Sequence, residues 1–337
     1  MLYSQELLYS IGGDGRRMKE NVGVTEKVSV VIPCYNSEKS IKAVVDNVLD
    51  ILEKSYQCQI ILVNDYSKDN VWSVITEICA CHENVIGLSL ARNFGQQSAR
   101  MAALGHVTGE YVVFMDDDGQ HKAQDILRMI DKLKTGYDIV YAYFRHKKES
   151  GFRVWGSNIN RKMTDWVMGT PKDVHTSSFF VTRRFVVDKL RDYTNPSPYT
   201  FGYFMQITKN IADIEVEHHE RIYGKSGYTI TKLLRLWMEG FTGFSVVPLR
   251  IASIVGVGMA VLGFIWGIYT IIHKLLNPAV AAGYTSLIAV MLFCCGMIMI
   301  MLGLLGEYVG RIFMNLNHLP QYVVKERLNV ESDMEDK

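Results

Sequence analysis

Two long runs of residues without a charge lie in the last third of the chain, at Ile251–Ile272 and Thr285–Gly306. At about 1.5 Å of rise per residue, each run is long enough as a helix to cross the ~30 Å hydrocarbon core of a bilayer. The segment between them is short, so the runs predict an antiparallel pair of transmembrane helices within residues 246–310. The alternative is a pair of buried helices in the core of a soluble protein.

Basic side chains are more frequent outside this pair of runs than in the connection between them. The flanking basic residues are Lys232, Arg235, Arg250, Arg311, Lys325 and Arg327. Positive charge is enriched on the cytoplasmic side of membrane proteins. The pattern therefore predicts that the large domain before the runs, and a tail at residues 311–337, face the cytoplasm.

The segment directly before the first run, Tyr228–Phe244, has apolar residues at helical spacing and charged residues elsewhere on the helical wheel. This pattern is typical of an amphipathic helix that lies in the membrane interface. We assign residues 228–245 to such a helix. The alternative is a helix packed against the soluble domain.

From Val28 onward the pattern changes to short apolar runs that alternate with helical periodicity. The predicted strands are Val28–Ile32, Gln59–Val63, Val85–Leu90 and Tyr111–Met115, and the predicted helices are Ser37–Leu52, Val71–Ala80 and Gln97–Gly105. Such alternation predicts an α/β domain, here residues 28–227, with a mostly parallel sheet covered by helices on both faces. Ligands bind beyond the carboxyl ends of such strands. The candidate segments are therefore Pro33–Asn36, Asn64–Asp69 and Asp116–His121.

The composition removes several classes of protein. The chain has 337 residues, with 36 Lys and Arg against 35 Asp and Glu, and this near balance argues against a nucleic-acid binder. Its hydrophobic content of 48% excludes general disorder. The six cysteines include no C-x-x-C pair, which argues against a disulfide framework or a zinc site. Residues 1–27 are expected to form a flexible tail.

Three consecutive carboxylates, Asp116, Asp117 and Asp118, follow the fourth predicted strand. Their mutual repulsion would be offset by a divalent cation. Alternate residues of an extended chain point the same way, so Asp116 and Asp118 could converge on Mg²⁺ or Mn²⁺. The alternative is a solvated turn that caps the next helix. Asp65, in the loop after the second strand, could accept hydrogen bonds from a nucleobase or ribose, whereas Asp69 could cap the helix that follows.

Four segments carry a family resemblance. They are VSVVIPCYNSEKSI, LVNDYSKDN, LARNFGQQSARMAALGHVTGEYVVFMDDDGQH and, after the second apolar run, GEYVGRIF. Together they resemble family-2 glycosyltransferases of the GT-A (Rossmann-like) fold, and within them the polyprenyl-phosphate sugar transferases. The likeness extends from about Val28 to Val324. It implies an inverting transfer of a sugar from a nucleotide sugar, UDP-linked by analogy, to undecaprenyl phosphate for modification of cell-envelope glycans.

The resemblance also implies roles for individual residues. It assigns nucleotide-sugar binding to Pro33, Tyr35, Asn36, Asp65, Asn93, Gly95 and Asp117. The metal would be held by Asp116, Asp118 and Gln120, and catalysis is assigned to Asp116, Asp118 and Arg145. The lipid phosphate would meet Arg153, Ser157, Arg221 and Lys225. The alternative for the basic segment Arg145–Lys148 is a solvated basic face or a patch attracted to anionic lipid.

Two departures from the family pattern affect these expectations. Asn64 and Tyr66 stand where the family usually has Asp and Gly, so the base pocket is expected to differ in shape. An Asp that some relatives carry has no counterpart in the stretch His175–Phe180, where His175 could substitute or could be a structural hydrogen-bond partner. A phosphate monoester with a second pKa of about 6 is mostly dianionic at pH 7, so it needs no base.

Two rival functions are a processive polysaccharide synthase and a non-catalytic membrane scaffold that keeps the fold. The first usually carries a Q-x-x-R-W motif, which is absent from this sequence, and the intact acidic segment argues against the second. Glycines in the first apolar run permit close helix approach. They predict a homo-oligomer, which is a tetramer by analogy with bacterial relatives. The resemblance and the two apolar runs predict a protein of the bacterial inner membrane that crosses it more than once.

Overall fold

The computed structural model describes residues 26–144, 174–196, 198–216, 247–276, 283–317 and 319–330. The predicted tail before residue 26 and the predicted interfacial helix at 228–245 lie outside these ranges. The elements described below all belong to the described part of the chain.

The strands form one eight-stranded sheet in the order β7-β5-β6-β4-β1-β2-β3-β8. They are β1 (Lys27–Cys34), β2 (Gln57–Asn64), β3 (Val85–Leu90), β4 (Tyr111–Phe114), β5 (Ile139–Phe144), β6 (Phe180–Arg183), β7 (Ile211–Val216) and β8 (Val324–Leu328). The helices are α1 (Ile41–Leu52), α2 (Val71–Cys81), α3 (Gln96–Ala103), α4 (Ala123–Lys134), α5 (Arg184–Leu190), α6 (Thr200–Ile207), α7 (Val247–Leu276) and α8 (Tyr284–Leu316).

The sheet is covered by helices on both faces, as the sequence predicted. Helices α1, α2 and α4 pack on one face, around residues such as Val45 and Ile75. Helices α3, α5 and α6 pack on the other face, around residues such as Ala99 and Phe204. Apolar side chains on both sides of the central strands explain why those strands read as continuous apolar runs.

Strands β1 to β4 pair in parallel, and their positions agree with the predicted strands to within two residues. The sheet as a whole is mixed, because β6 lies antiparallel between β4 and β5, and β8 lies antiparallel to β3. The sequence analysis did not predict these antiparallel strands. Strand β7 pairs in parallel with β5 and forms the edge opposite to β8.

The segment after α8, expected from the sequence to be a tail, returns to the sheet as strand β8. The indole N–H of Trp72 donates to Glu326, and the backbone N–H of Ala91 donates to Val323. Asn329, which follows β8, has φ of 56° and donates through its side-chain amide to the carbonyls of Cys79, His82 and Val85 at 2.7 to 3.1 Å. This one amide ties the end of β8 to the turn between α2 and β3.

We expect Asn329→Gly to destabilise this edge of the sheet by about 1 kcal/mol, because three carbonyls, two of them in partly buried hydrogen bonds, lose their donor. Glycine keeps the left-handed backbone conformation, so the variant isolates the hydrogen bonds from strain. Hydrogen–deuterium exchange measures the effect directly. Exchange should accelerate in β3 and β8 and stay unchanged in α1; unchanged protection of β3 would contradict the assignment.

Helices α7 and α8 contain the two apolar runs predicted to span a membrane. By length and composition, Ala252–His273 and Phe293–Leu316 are apolar enough to cross a bilayer, with mean hydropathies of 2.0 and 1.8. Among the side chains of these stretches whose burial the structure describes, none is buried, which argues against the alternative of core helices. The two helices meet at Gly256, where an added Cβ would come within 3.3 Å of the Met301 methyl group.

Candidate active site

The loops that follow β1 and β4 meet at the carboxyl edge of the sheet, because β1 and β4 are parallel neighbours. The backbone N–H of Tyr35 donates to the Asp117 carboxylate at 2.9 Å, and the hydroxyl of Ser40 donates to the Asp117 carbonyl at 2.7 Å. Burial raises the pKa of Asp117 to about 6, and the negative charge of Asp116 adds to this, against the hydrogen bond from the Tyr35 backbone N–H. Asp117 therefore connects the acidic segment to the loop after β1, where the predicted nucleotide-binding residues Pro33, Tyr35 and Asn36 lie.

Asp116 is held from the other side by three side chains. The amide of Gln96 and the guanidinium of Arg100 donate to Oδ1 at 2.6 and 3.3 Å, and the hydroxyl of Ser178 donates to Oδ2 at 2.6 Å. Gln96 and Arg100 lie one turn apart on α3, so they present donors on the same face. Arg100 is 4% exposed and also donates to the Ser178 carbonyl at 3.1 Å. Both carboxylate oxygens of Asp116 thus have protein donors.

The end of the acidic segment is a turn that presents Asp118 and Gln120. Gly119 has φ of 75°, a conformation that glycine adopts without strain. The backbone N–H of Gln120 donates to Oδ1 of Asp118 at 3.1 Å. The backbone N–H of Asp116 donates to Nδ1 of His121, whose ring stacks on Phe179 at 4.5 Å. Within the described residues, no group of three or more His, Cys, Asp or Glu side chains is arranged to hold a metal ion.

Asp65 orders the loop that leads into α3. Its two carboxylate oxygens accept the backbone N–H groups of Phe94 at 2.7 Å and Gly95 at 2.9 Å, and the amide of Asn93 donates to the Asp65 carbonyl at 3.1 Å. Burial raises the pKa of Asp65 against these two N–H donors. Gly95 needs its φ of 91° to begin the helix at this point. The predicted contact of Asp65 with a nucleobase stays a prediction.

The two departures from the family pattern have visible structural roles. Asn64 accepts the backbone N–H of Ser67 at 3.0 Å and donates to the Ser89 hydroxyl at 3.2 Å, so it stabilises the turn after β2. Tyr66 has φ of 54°, a region that favours glycine, and its side chain is 56% exposed. A bulky side chain at such a backbone angle is uncommon and is found at sites where the surrounding structure enforces it.

The loops after β1 and β2 are also joined to each other. Asn36 has φ of 55°. Its side-chain oxygen accepts a hydrogen bond from the Lys68 backbone N–H at 2.9 Å, and its own backbone N–H donates to the Ser67 hydroxyl at 3.1 Å. Pro33 is buried at the end of β1, whereas Tyr35 is 48% exposed. The predicted nucleotide residues therefore lie on connected loops at one edge of the sheet.

Sequence reasoning missed the three side chains that hold Asp116. Gln96 and Arg100 stand at an i, i+4 spacing that could have suggested a shared partner, but a buried arginine cannot be recognised without the fold. Ser178 lies inside the stretch His175–Phe180 that the sequence analysis had singled out for a different reason. The other predicted site residues, Arg145, Arg153, Ser157, Arg221 and Lys225, lie outside the described residues.

Family comparisons agree with this geometry. The chain matches the model of Glycosyl transferase family 2 over residues 29–191 and the model of the GtrB C-terminal hairpin over residues 247–312. The first match covers the strands and loops of the candidate site, and the second covers α7 and most of α8. The chain therefore belongs to glycosyl transferase family 2, and it is a glycosyltransferase.

Individual relatives cover nearly the whole chain. The bactoprenol glucosyl transferase of Shigella phage SfV is 32% identical over 307 residues, which are 89% of this chain and 98% of that protein. The undecaprenyl-phosphate 4-deoxy-4-formamido-L-arabinose transferase of Proteus mirabilis (strain HI4320) is 32% identical over 311 residues, which are 90% of this chain and 95% of that protein. The family predicted from the four motifs is thus confirmed.

A solved structure is similar at a lower level. It is the glucosyl-3-phosphoglycerate synthase of Mycobacterium tuberculosis in complex with Mn²⁺, UDP-glucose and phosphoglyceric acid, with 18% identity and a TM-score of 0.48. The likeness covers 65% of this chain and 78% of that one. It is too weak to assign roles to individual residues.

Proposed function

We propose that this glycosyltransferase moves a sugar from a nucleotide sugar to the phosphate of a polyprenyl phosphate, here undecaprenyl phosphate. The observation that carries the proposal is the acidic segment at the carboxyl edge of the sheet, in a chain whose two apolar helices match the GtrB hairpin. Relatives named for bactoprenol and undecaprenyl-phosphate transfer support the acceptor. The product would serve the modification of cell-envelope glycans.

The donor side is assigned to the connected loops after β1, β2 and β3. Pro33, Tyr35 and Asn36 lie on the first of them, Asp65 on the second, and Asn93 and Gly95 on the third. Because Asp65 fixes the backbone of Phe94 and Gly95, it shapes the pocket whether or not it touches the base. We propose UDP as the nucleotide by analogy with relatives.

The cation is assigned to Mg²⁺ or Mn²⁺, with Asp118 as its main protein ligand. Asp116 already accepts three hydrogen bonds, so it fits better as a second, orienting carboxylate, with Gln120 nearby. One or two carboxylates plus substrate phosphates form a common Mg²⁺ site, so the residues present fit the ion. A bound cation would stabilise the negative charge that develops on the leaving nucleoside diphosphate.

The acceptor side is assigned to Arg145, Arg153, Ser157, Arg221 and Lys225 from the resemblance. A lipid phosphate lies at headgroup depth, so its cationic partners must lie where the soluble domain meets the bilayer. Arg221 and Lys225 directly precede the predicted interfacial helix, which fits this requirement. We place the protein in the bacterial inner membrane, crossing it more than once with the catalytic domain in the cytoplasm, and as a homo-oligomer.

The proposed reaction inverts the configuration at C1 of the sugar. An oxygen of the acceptor phosphate forms a bond to C1 while the bond from C1 to the nucleoside diphosphate breaks, and the diphosphate leaves with the electron pair. The protein contributes placement of the two substrates and stabilisation of the leaving group. The dianionic phosphate can attack without help from a base.

A donor screen tests the function. Purified protein in detergent with undecaprenyl phosphate and Mn²⁺ is supplied with single nucleotide sugars, and the mass of the lipid product is measured. One donor should yield a polyprenyl-phosphate sugar. A polymer on a water-soluble acceptor would favour the polysaccharide synthase instead, and the absence of both transfer and hydrolysis with every donor would favour the non-catalytic scaffold.

A further inference from the structure

A histidine and an aspartate form a close pair that the proposed reaction does not use. Nδ1 of His175 lies 2.9 Å from Oδ2 of Asp213, and the His175 backbone N–H donates to the same oxygen at 2.7 Å. Because an ionised carboxylate only accepts hydrogen bonds, the contact places the ring hydrogen on Nδ1. In the neutral ring, Nε2 then carries the lone pair and can accept a proton.

The surroundings of the pair are acidic and aromatic. The imidazole stacks on the ring of Tyr143 at 4.7 Å, and the Tyr143 hydroxyl donates to the Glu215 carboxylate at 3.2 Å. His175 is 46% exposed, while Asp213 is 18% exposed. The titratable groups around the imidazole on β5 and β7 are thus Tyr143, Asp213 and Glu215.

The pair lies at the same edge of the sheet as the acidic segment. Strand β6 is antiparallel to both β4 and β5, and β7 is parallel to β5, so β4, β5 and β7 end at one edge. Ser178, whose hydroxyl donates to Asp116, follows His175 by three residues. At no more than about 3.6 Å per residue, the Cα atoms of His175 and Ser178 lie within roughly 11 Å of each other. His175 therefore lies on the segment that contacts the acidic segment through Ser178, at the edge of the sheet where the acceptor is proposed to attack.

We propose that His175 is a catalytic residue that takes the proton of the acceptor phosphate, with Asp213 as the residue that positions it. The inference rests on the proposed function. When the acceptor arrives with one proton, its attacking oxygen bonds to C1 and the nucleoside diphosphate leaves with its electron pair. The proton passes to Nε2, and Asp213 stabilises the resulting imidazolium. Solvent takes the proton after product release.

The chemistry of phosphate explains why such a base is useful here. Near neutral pH a phosphate monoester is a mixture of monoanion and dianion, because its second pKa is about 6. The second negative charge is unfavourable beside Asp213, Glu215 and the acidic segment. A base at His175 lets the monoanion react, while the phosphodiester product cannot retain the proton.

The test compares the wild type with His175→Gln, measuring kcat/KM for undecaprenyl phosphate from pH 5.5 to 9. The loss should be roughly 10²-fold near pH 6 and should shrink toward none at pH 9, where the dianion reacts without a base. Asp213→Leu removes the acceptor that holds the ring hydrogen on Nδ1, so it should reproduce the same pH-dependent loss. The matched control is His82→Gln. His82 directly follows α2 and is far from His175 in the sequence, so this variant should behave as the wild type.

A loss that is the same at every pH in both variants would overturn the catalytic role and leave a structural one. Wild-type kinetics in either variant would overturn it as well. Nucleotide binding by each variant, measured by calorimetry, reports whether the fold is intact independently of transfer. If the wild type itself forms no polyprenyl-phosphate sugar with any donor, the proposed function fails and the role of His175 fails with it. If the wild type transfers sugar and the variants do not show the pH-dependent loss, only the role of His175 fails.

Discussion

Asp118→Ala is expected to lower sugar transfer by roughly 10³-fold or more, because the leaving nucleoside diphosphate loses several kcal/mol of charge stabilisation. Of the three consecutive carboxylates, Asp117 is bound to the loop after β1 and Asp116 to α3 and Ser178. Asp118 accepts the backbone N–H of Gln120 at the turn that ends the acidic segment, and it is the carboxylate assigned as the main ligand of the cation. The measurement is the initial rate of lipid-product formation with saturating donor and Mn²⁺.

Two controls make this result specific. Asp131→Ala removes an exposed carboxylate of α4 and should leave the rate unchanged. Calorimetry of UDP binding with and without Mn²⁺ provides a readout that does not depend on turnover: Mn²⁺ should strengthen UDP binding to the wild type and have little effect on Asp118→Ala. Full turnover in Asp118→Ala, or an unchanged Mn²⁺ effect, would end the metal assignment.

Arg100→Met is expected to cost about 3–5 kcal/mol of stability, because it leaves the partly buried Asp116 carboxylate without its cationic partner. For a domain of this size that corresponds to a fall in melting temperature of roughly 10 °C. We also expect transfer to fall more than tenfold, since Asp116 loses one of the groups that orient it. Thermal unfolding in detergent micelles measures the first effect, and the lipid-product assay measures the second.

The matched control is Arg184→Met, which breaks an ion pair with Asp188 in which the two side chains are 35% and 47% exposed. Exposed pairs contribute about 0–1 kcal/mol, so this variant should melt close to the wild type. Adding Asp116→Asn to Arg100→Met removes the unpaired charge and should restore part of the lost stability. Equal melting of the Arg100 and Arg184 variants would show that the pair at Asp116 is not a significant source of stability.

The sequence predicted best those elements whose burial or membrane exposure alone determines their residue pattern. Strands β1 to β4 are buried on both faces, so each appears as an apolar run, and a helix must connect two parallel strands. The acidic segment was identified because it follows such a run directly. The apolar helices α7 and α8 were found because length and lack of charge are sufficient to recognise a membrane span.

The rest of the fold depends on pairing between distant segments. Strand β6 lies between β4 and β5, and no local pattern specifies that order. Strand β8 has the sequence VKERL, whose charged residues suit an exposed sheet edge but look like a tail when only the sequence is read. In the site, the contacts of Arg100 and Ser178 with Asp116, and of Asp213 with His175, join residues 16 to 62 positions apart in the chain.

The placement of β7 and β8 has a practical consequence for anyone who wishes to produce the catalytic domain without its membrane helices. The two strands flank the hairpin in the chain yet occupy opposite borders of the sheet. A fragment cut after β7 would leave the apolar strand β3 with a bare border, open to pairing with other chains and hence to precipitation. A soluble version should therefore keep residues 319–330, connected by an engineered linker, in place of a simple truncation.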